Sequence, residues 1–263
     1  MDSMSLENHA PLLRVEKLSV SFGRLMAVHD LEFQIHPGEI FGLIGPNGAG
    51  KTTVFNAITG TVPLSEGKIH FAETDITGLK TDQITARGVV RAYQAATIFS
   101  QTPVAEHVMT GLHCRTSTSV WGAFLHTSFS RKEEVQSQKK VEELLEISNL
   151  ADFREQTASS LSWAQQKRLM LATALATDPK LILLDEPVAG MNANEIEEMI
   201  ELIATVRKGG VTVFIIEHNM KVMMKICDRI LVMNYGRKLI EGIPEEVARD
   251  PKVIEAYLGY KQN

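Results

Sequence analysis

The nine residues Gly45-Pro46-Asn47-Gly48-Ala49-Gly50-Lys51-Thr52-Thr53 directly follow an apolar run from Ile40 to Ile44. Glycines at this spacing are typical of a loop whose backbone N–H groups surround a phosphate, because no Cβ atom blocks the anion. Lys51 is placed to contact the β- and γ-phosphates, and the Thr52 hydroxyl can bind Mg²⁺. A helix from Thr52 to about Thr59 would point its positive end at the phosphates. The stretch therefore predicts a nucleotide-binding α/β domain.

The composition limits the class of protein. The 263 residues are 44% hydrophobic and 22% charged, which is ordinary for a globular protein with an ample core. The 27 basic and 32 acidic residues give a net charge of −5, which argues against a dedicated nucleic-acid binder. No stretch approaches about 18 consecutive apolar residues and the first residues lack a secretory pattern, so we expect the chain to stay in the cytosol. Cys114 and Cys227 have neither metal nor redox spacing and are interpreted as reduced structural thiols.

Strand-like alternation from Leu13 to Val20 and from Leu31 to Ile35 predicts an antiparallel sheet with one solvated face. Lys68 to Phe71 is a candidate for a further strand of this sheet. From Gln94 to Leu161 the pattern changes to helical periodicity, which indicates an inserted helical lobe. The apolar positions assigned to its helices are Val135, Val141, Leu144, Leu145 and Ile147.

Two continuous apolar runs, Leu181 to Leu184 and Val211 to Ile216, are typical of strands buried on both faces of a parallel sheet. A helix is predicted between them, with Asn194 as its N-cap. Its apolar face comprises Ile196, Met199, Ile200 and Ile203.

The last part of the chain predicts a β-hairpin and a short helix. Ile230 to Met233 and Lys238 to Glu241 flank the turn sequence Asn234-Tyr235-Gly236. A helical tail begins near Pro244, because proline is favoured in the first turn of a helix.

Polar residues follow each buried strand: Gly45 onward, Asp185-Glu186 and Glu217-His218. Open α/β sheets assemble their ligand sites at these carboxyl ends. Asp185 can hold Mg²⁺ through water opposite Thr52, and Glu186 can direct an attacking water. A solvated Asp-Glu turn is the alternative, which the preceding phosphate loop disfavours.

Three further elements identify a family. Leu161-Ser162-Trp163-Ala164-Gln165-Gln166-Lys167-Arg168 resembles LSGGQ, the signature motif of ATP-binding cassette (ABC) ATPases. His218 matches the family's switch histidine, and Gln94 in VVRAYQ matches its Q-loop glutamine. The resemblance implies an α/β fold: a P-loop ABC ATPase core with a mixed/parallel sheet, an N-terminal antiparallel β subdomain and an inserted helical subdomain. It also implies that residues 1–263 form a single ABC ATPase domain, with residues 1–93 and 162–263 as the catalytic core and residues 94–161 as the helical subdomain.

The closer resemblance is to the branched-chain amino-acid importer subfamily, and it extends almost end to end. The segments that carry it are GPNGAGKTTVFNAITG, GVVRAYQ, LDEPVAGMNANE, IIEHNM and NYGRKLIEGIPEEVARDPKVIEAYLG. The last segment is informative because it lies outside nucleotide chemistry. Lipopolysaccharide-export ATPases have similar tails and related importers handle urea or short amides, so these functions stay open as alternatives.

Two alternatives come from other classes of protein. A soluble ABC protein acting on ribosomes or DNA usually has two cassettes or a long coiled-coil insertion, and neither occurs here. A GTPase-like switch would use Asp75-Ile76-Thr77-Gly78 as its D-x-x-G pattern, but no Asn-Lys-x-Asp segment follows. We therefore expect the ATP-hydrolysing subunit of a membrane importer.

The resemblance implies specific roles at the nucleotide. Backbone N–H groups from Asn47 to Thr53 and the Lys51 ammonium would hold the triphosphate of ATP. Gly45 and Pro46 open this loop. Mg²⁺ would be bound by Thr52 and Gln94 and supported by Asp185.

The remaining roles concern hydrolysis and base recognition. Glu186 would polarise the attacking water, and His218 would contact the γ-phosphate, with helix capping or core packing as the alternative for the histidine. Gln94 would link Mg²⁺ to the helical lobe. Phe22 would stack on adenine, with core packing as its alternative.

The resemblance also implies partners. Two ATPases face head to tail, identical or different, and the signature of each closes the other's ATP site in trans through Ser162, Trp163, Ala164 and Gln165. Transmembrane permease subunits would dock on the helical lobe, near residues 120–125 or Phe129, and a solute-binding protein would take part indirectly. We expect a peripheral location on the cytoplasmic side of the membrane, and no nucleic-acid partner.

Both glycines of the usual LSGGQ are replaced, by Trp163 and Ala164. The second glycine normally lets the backbone approach the partner's γ-phosphate. The Cβ atom of Ala164 is therefore expected to weaken this contact, which we call the clamp. On this reasoning Ala164→Gly would raise the ATPase activity of the assembled complex.

Overall fold

The computed structural model describes residues 10–92, 99–113 and 128–258. The chain divides into two compact units. The first consists of residues 1–89, 180–186 and 206–263, and the second of residues 90–179 and 187–205. The phosphate loop, Glu186 and His218 belong to the first unit, and the signature motif belongs to the second.

The described strands are, in chain order, β1 (Leu13–Phe22), β2 (Leu25–Ile35), β3 (Ile40–Ile44), β4 (Glu66–Phe71), β5 (Thr74–Asp75), β6 (Val89–Ala92), β7 (Leu181–Asp185), β8 (Thr212–Ile216), β9 (Arg229–Asn234) and β10 (Arg237–Gly242). The described α-helices are α1 (Lys51–Ile58), α2 (Thr81–Ala86), α3 (Val104–His113), α4 (Ser128–Ile147), α5 (Trp163–Ala176), α6 (Ala193–Lys208), α7 (Met220–Ile226), α8 (Pro244–Arg249) and α9 (Pro251–Leu258). The predicted hairpin and the helix near Pro244 are confirmed by β9, β10 and α8.

An antiparallel sheet forms the N-terminal part of the first unit, in the order β2-β1-β4-β5. Leu13 and Val15 of β1 are buried, whereas Arg14 between them is exposed, as expected for a sheet with one solvated face. Leu13 pairs with Ile35 of β2 on one side and with Phe71 of β4 on the other. The predicted sheet, including the strand at residues 68–71, is confirmed.

The central sheet of the first unit has the order β10-β9-β3-β8-β7, and β6 begins at Val89 beside β7. Strands β9, β3, β8 and β7 are parallel, and Ile216 of β8 lies opposite both Leu43 of β3 and Asp185 of β7. Every residue of β3 and β8 is buried, because helices and the second sheet leave no solvated face for alternating polar side chains. This register ends the three strands at one edge of the sheet.

Four phenylalanines join the layers of the first unit. Phe33 of β2 stacks on Phe41 of β3, with ring centroids 5.6 Å apart and planes 7° apart. Phe214 of β8 packs against both rings at 5.6 and 5.5 Å, and Phe55 of α1 meets Phe214 at 4.8 Å. The cluster therefore fixes the helix that follows the phosphate loop onto the central sheet.

The second unit is built on α5, against which α3 and α4 pack. The close contact of α3 with α5 depends on Gly111, since a Cβ atom there would lie 2.3 Å from the Thr173 carbonyl oxygen. Because α5 belongs to this unit, the unit extends beyond the predicted helical lobe of residues 94–161 and takes in residues 162–179 and 187–205. The subdomain boundaries given by the sequence stay a prediction.

The helical periodicity predicted for Val135, Val141, Leu144, Leu145 and Ile147 is confirmed, because all five residues lie in α4. Val141, Leu144 and Leu145 are buried, whereas Val135 and Ile147 are 64% and 43% exposed, so only the first three form the buried face of the helix. At about 100° per residue, both lie roughly 120° around the helix from Val141, outside the stripe that faces the unit.

The cap predicted for α6 is wrong. Asn192, two residues earlier than the predicted Asn194, accepts hydrogen bonds at its Oδ1 atom from the backbone N–H groups of Asn194 (3.0 Å) and Glu195 (3.1 Å). Asn194 itself lies inside the helix, where its own N–H needs a partner. Of the predicted apolar face, Met199, Ile200 and Ile203 are buried and Ile196 is half-buried.

The thiol of Cys227 is free and buried, and burial raises its pKa, as suits the predicted structural role. Cys114 and residues 120–125, which the sequence analysis singled out, lie outside the described residues.

We expect Phe214→Ala to lower the free energy of unfolding by about 3–5 kcal/mol, because it removes a fully buried ring that contacts three others. Urea denaturation followed by circular dichroism measures the change. Val135→Ala, at an exposed site, is the control and should change stability by less than about 0.5 kcal/mol. Equal effects of the two substitutions would contradict the assigned core.

Candidate nucleotide-binding site

The phosphate loop lies between the end of β3 at Ile44 and the start of α1 at Lys51, within one residue of the predicted helix. Its last residue, Gly50, adopts a left-handed conformation (φ 98°), and a Cβ atom there would lie 2.6 Å from the Ala27 carbonyl oxygen. The N–H of Ala49 donates to the Pro46 carbonyl (3.1 Å), which closes the loop on itself. The loop is thus a preformed backbone cradle at a helix N-terminus, the arrangement that binds phosphate.

The Lys51 ammonium folds back over the loop. Its Nζ atom donates to the carbonyl oxygens of Gly45 (2.7 Å) and Pro46 (3.1 Å). Burial lowers the pKa of Lys51, while the charges of Glu186 and Asp185 act in the opposite direction. A partly buried cation at the N-terminus of a helix is suited to an anionic ligand.

Glu186 and His218 come together beside this loop. The Nδ1 atom of His218 lies 3.7 Å from Oε1 of Glu186, and both side chains are well exposed. The backbone of Glu186 has a positive φ of 49°, and its N–H donates to the Ile216 carbonyl of β8 (2.9 Å). This bond holds the carboxylate at the sheet edge although the backbone conformation is unfavourable for a residue with a Cβ atom.

The sequence analysis assigned no role to Glu217, yet its side chain is fully buried. Its Oε2 atom accepts hydrogen bonds from the N–H groups of His218 (3.0 Å) and Asn219 (3.2 Å). Asn219 in turn caps α7 by accepting from Val222 N–H (3.4 Å). The carboxylate thus shapes the turn that presents His218. An acidic residue directly after a buried strand was the available signal.

The same contacts decide between the interpretations of His218. Asn219 is the helix cap, and the His218 side chain is 61% exposed, so neither capping nor core packing accounts for the histidine. Its contact with the γ-phosphate stays a prediction.

Two cavities border the loop. The first, of about 420 Å³, is lined by the segments 25–27, 47–53 and 235–236 together with Glu186 and Ile216. The second, of about 550 Å³, is lined by Gly45, Pro46, Asn47, Glu186, His218, Ala256 and Tyr257. Tyr257 comes from the C-terminal helix α9 and was not predicted; burial raises the pKa of its hydroxyl. Glu186 borders both cavities.

The structure places some, but not all, of the residues that were predicted to contact Mg²⁺ or adenine. Thr52 is exposed and lines the first cavity, and Asp185 lies half-buried at the end of β7. Gln94 lies outside the described residues. Phe22 is 51% exposed, so the alternative of core packing is wrong for it, but it is not among the residues that line the first cavity. Its adenine contact stays a prediction.

The signature motif opens α5 with a capping box. Ser162 Oγ accepts from the Gln165 N–H (3.3 Å), and the Gln165 side chain accepts from the Ser162 N–H (2.8 Å). Trp163 is 59% exposed, and its indole N–H donates to the Ala189 carbonyl (3.1 Å). Ala164 is only 3% exposed. The motif therefore exposes Ser162 and Trp163, whereas the methyl group of Ala164 is buried.

This burial removes the reason given for a weakened clamp. The Cβ atom of Ala164 was expected to obstruct the partner's γ-phosphate, but that atom is buried. The contact of this motif with the ATP of a second cassette stays a prediction.

A family model described as "ABC transporter" matches residues 28–189. The chain belongs to the ABC transporter ATPase family. A second model, described as "Branched-chain amino acid ATP-binding cassette transporter", matches residues 237–261 of this ABC ATPase.

Curated relatives match over almost their whole length. The ABC ATPase is 40% identical to the high-affinity branched-chain amino acid transport ATP-binding protein LivG of Escherichia coli K12, over 95% of this chain and 98% of the relative. Identity is 38% to BraF of Pseudomonas aeruginosa, with the same coverage. It is 34% to the lipopolysaccharide export ATP-binding protein LptB of Haemophilus influenzae, over 94% and 97% of the two chains.

Among solved structures, the ADP conformation of MJ1267, an ATP-binding cassette of an ABC transporter, superposes with a TM-score of 0.83. It is 30% identical, over 95% of this chain and all of the other. These comparisons confirm the predicted α/β cassette fold and its ATPase class. Within the described ranges, none of the helices has the length and apolar character needed to cross a membrane.

We expect Lys51→Ala to weaken ATP binding by the isolated chain about ten- to a hundredfold, because it removes a charge-assisted hydrogen bond to the phosphates. Isothermal titration calorimetry measures the affinity. Lys208→Ala, an exposed lysine in the last turn of α6, is the charge-matched control. Unchanged affinity with an intact circular dichroism spectrum would refute the role of Lys51.

We expect Ala164→Gly to leave the ATPase rate of the assembled complex unchanged or lower, since the methyl group is buried near the start of α5. Glycine in a helix costs about 0.5–1 kcal/mol relative to alanine, so thermal unfolding should shift down. A higher ATPase rate in Ala164→Gly would contradict this expectation and would support obstruction of the partner's γ-phosphate by the Ala164 Cβ atom.

Proposed function

We propose that this chain is the ATP-binding and hydrolysing subunit of an ABC importer for branched-chain amino acids, in which ATP-dependent closure of two cassettes drives transport. The observation that carries the solute class is the match of residues 237–261 to the branched-chain amino acid family. This segment lies outside the phosphate loop and signature shared by all such cassettes. The near full-length identity to LivG and BraF supports the same assignment.

ATP binds in this proposal on the loop of residues 45–53. The N–H groups at the start of α1 and the Lys51 ammonium hold the triphosphate. Mg²⁺ fits the donor set present, because Thr52 offers a hydroxyl and Asp185 a carboxylate, both hard oxygen ligands. Gln94 would add a further oxygen. When bound, Mg²⁺ neutralises charge on the phosphates.

Hydrolysis is assigned to the edge where β7 and β8 end. The Glu186 carboxylate accepts a proton from the attacking water, and His218, 3.7 Å from it, contacts the γ-phosphate. The Glu217 carboxylate holds the backbone of His218 in place by accepting a hydrogen bond from its N–H. Phe22 is proposed to contact adenine.

The remaining assignments concern assembly. A second cassette, identical or different, would place its own ATP against Ser162, Trp163, Ala164 and Gln165 of this chain, and this chain's ATP against the corresponding motif. Permease subunits would receive the motion at the membrane, with the cassette peripheral on the cytoplasmic side and a solute-binding protein delivering the amino acid outside. No nucleic acid takes part.

Lipopolysaccharide export is the second candidate, because LptB of Haemophilus influenzae is 34% identical over nearly the same length. The two candidates differ in what the assembled complex moves. Purifying the complex and identifying its other subunits separates them.

We expect Glu186→Gln in the assembled transporter to keep ATP binding and to slow hydrolysis about 10²- to 10⁴-fold, the usual effect of losing a general base. ATP-driven uptake of labelled leucine into proteoliposomes, measured in parallel, should fall with it.

Glu201→Gln, an exposed acid on α6, is the matched control and should leave both rates unchanged. Near-normal turnover of Glu186→Gln would remove Glu186 from its role. Normal ATP hydrolysis by the unaltered complex without uptake of labelled leucine, isoleucine or valine would exclude branched-chain amino acids as its solutes.

A further inference from the structure

Tyr235 is an aromatic side chain with no evident structural purpose. It lies in the turn between β9 and β10 and is 76% exposed, so it does not contribute to the core. Asn234 pairs with Arg237, which leaves a two-residue loop of Tyr235 and Gly236 with φ angles of 48° and 76°. Hairpin loops with two positive φ angles favour asparagine or glycine at the first position. A tyrosine there is disfavoured by the turn and is not compensated by burial.

The turn is held rigidly against the phosphate loop. Gly236 N–H donates to the Ala49 carbonyl (3.1 Å), and the Gly236 carbonyl accepts from His29 N–H of β2 (2.8 Å). A Cβ atom at Gly236 would lie 2.7 Å from the Ala27 carbonyl oxygen, so the backbones approach closely. Tyr235 is therefore placed by contacts to both elements and not by a loose loop.

Tyr235 lines the same cavity as the phosphate loop. The cavity of about 420 Å³ is bounded by Lys51 and Thr52 and also by three exposed large apolar or aromatic side chains, Leu25, Met26 and Tyr235. A ligand that combines a polyanion with a flat aromatic group fits both the polar side of this cavity and its apolar side. Exposed apolar side chains grouped at a cavity are typical of binding sites.

We propose that Tyr235 contacts the nucleoside part of the bound nucleotide and, with Leu25 and Met26, forms the apolar wall of its site. The proposal rests on nucleotide binding at the phosphate loop and extends it to a residue outside the nucleotide-binding motifs named above. The phenol ring contributes contact to the base or ribose, while Lys51 and the loop backbone hold the phosphates. Affinity for a nucleotide then depends on Tyr235, and affinity for a bare polyphosphate does not.

The test uses the isolated chain and three variants. Tyr235→Asn is the decisive one, because asparagine suits the turn and should fold at least as well as the parent chain. Tyr235→Phe keeps the ring. Val135→Asn, at an exposed apolar position of α4 outside the cavity, is the matched control. Dissociation constants for ATP, ADP and inorganic triphosphate are measured by competition with a fluorescent ATP analogue, and melting temperatures are recorded for every variant.

We expect Tyr235→Asn to weaken ATP and ADP binding about five- to tenfold, the scale of one aromatic contact, with triphosphate affinity and melting temperature preserved. Tyr235→Phe and Val135→Asn should bind all three ligands like the parent chain. Parental ATP affinity in Tyr235→Asn would overturn the proposal. Equal weakening for ATP and triphosphate would also overturn it, since Tyr235 would then act on the loop. Failure of the parent chain itself to bind ATP would instead refute the proposed function.

Discussion

The parallel pairing of β8 with β3 on one side and β7 on the other is the constraint on which the site depends. Ile216 at the end of β8 lies opposite both Leu43 and Asp185, so the three strands end together. Because parallel strands present their carboxyl ends at one edge, the residues that follow them must share that edge. The phosphate loop, Glu186 and the Glu217-His218 pair are neighbours for this reason, although they are far apart in the chain.

Burial of these strands sets the chemistry at their ends. A strand covered on both faces carries apolar side chains along its length, so polar groups can gather only where it stops. Glu217 shows how this is used: its buried carboxylate is satisfied by two backbone N–H groups, and the exposed His218 is positioned as a result. The same edge leaves the Lys51 ammonium partly buried, with its pKa lowered and its bonds made to loop carbonyls.

The structure shows how Trp163 and Ala164, the two departures from the usual signature, are accommodated. The indole N–H of Trp163 satisfies the carbonyl of Ala189, two residues after the proline that follows Glu186, and Ala164 is packed inside. Gly190, at which an added Cβ atom would lie 3.2 Å from the indole nitrogen, leaves room for this contact. An aromatic residue in the motif is thus accommodated by its own chain.

The sequence by itself determined the features that arise from local chemistry: the phosphate loop and its helix, the buried strands, the hairpin and the proline-initiated α8. It also identified the family, through the phosphate loop, Asp185-Glu186 and the signature-like segment at Leu161–Arg168. These depend on neighbours within a few residues, so their pattern is visible in one stretch. Only the tertiary structure decided that Glu217 is a buried acid, that Ala164 is hidden and Trp163 exposed, and that Tyr235 and Tyr257 reach cavities beside the loop. The structure also showed that Asn192, and not Asn194, caps α6, and that Val135 and Ile147 are exposed to solvent. The burial of side chains and their contacts with cavities depend on which side of a helix or turn meets a segment distant in sequence, and that contact has no periodicity by which a single sequence reveals it. The cap is a local contact, but two asparagines, Asn192 and Asn194, lie near the start of α6, and only the structure distinguished them.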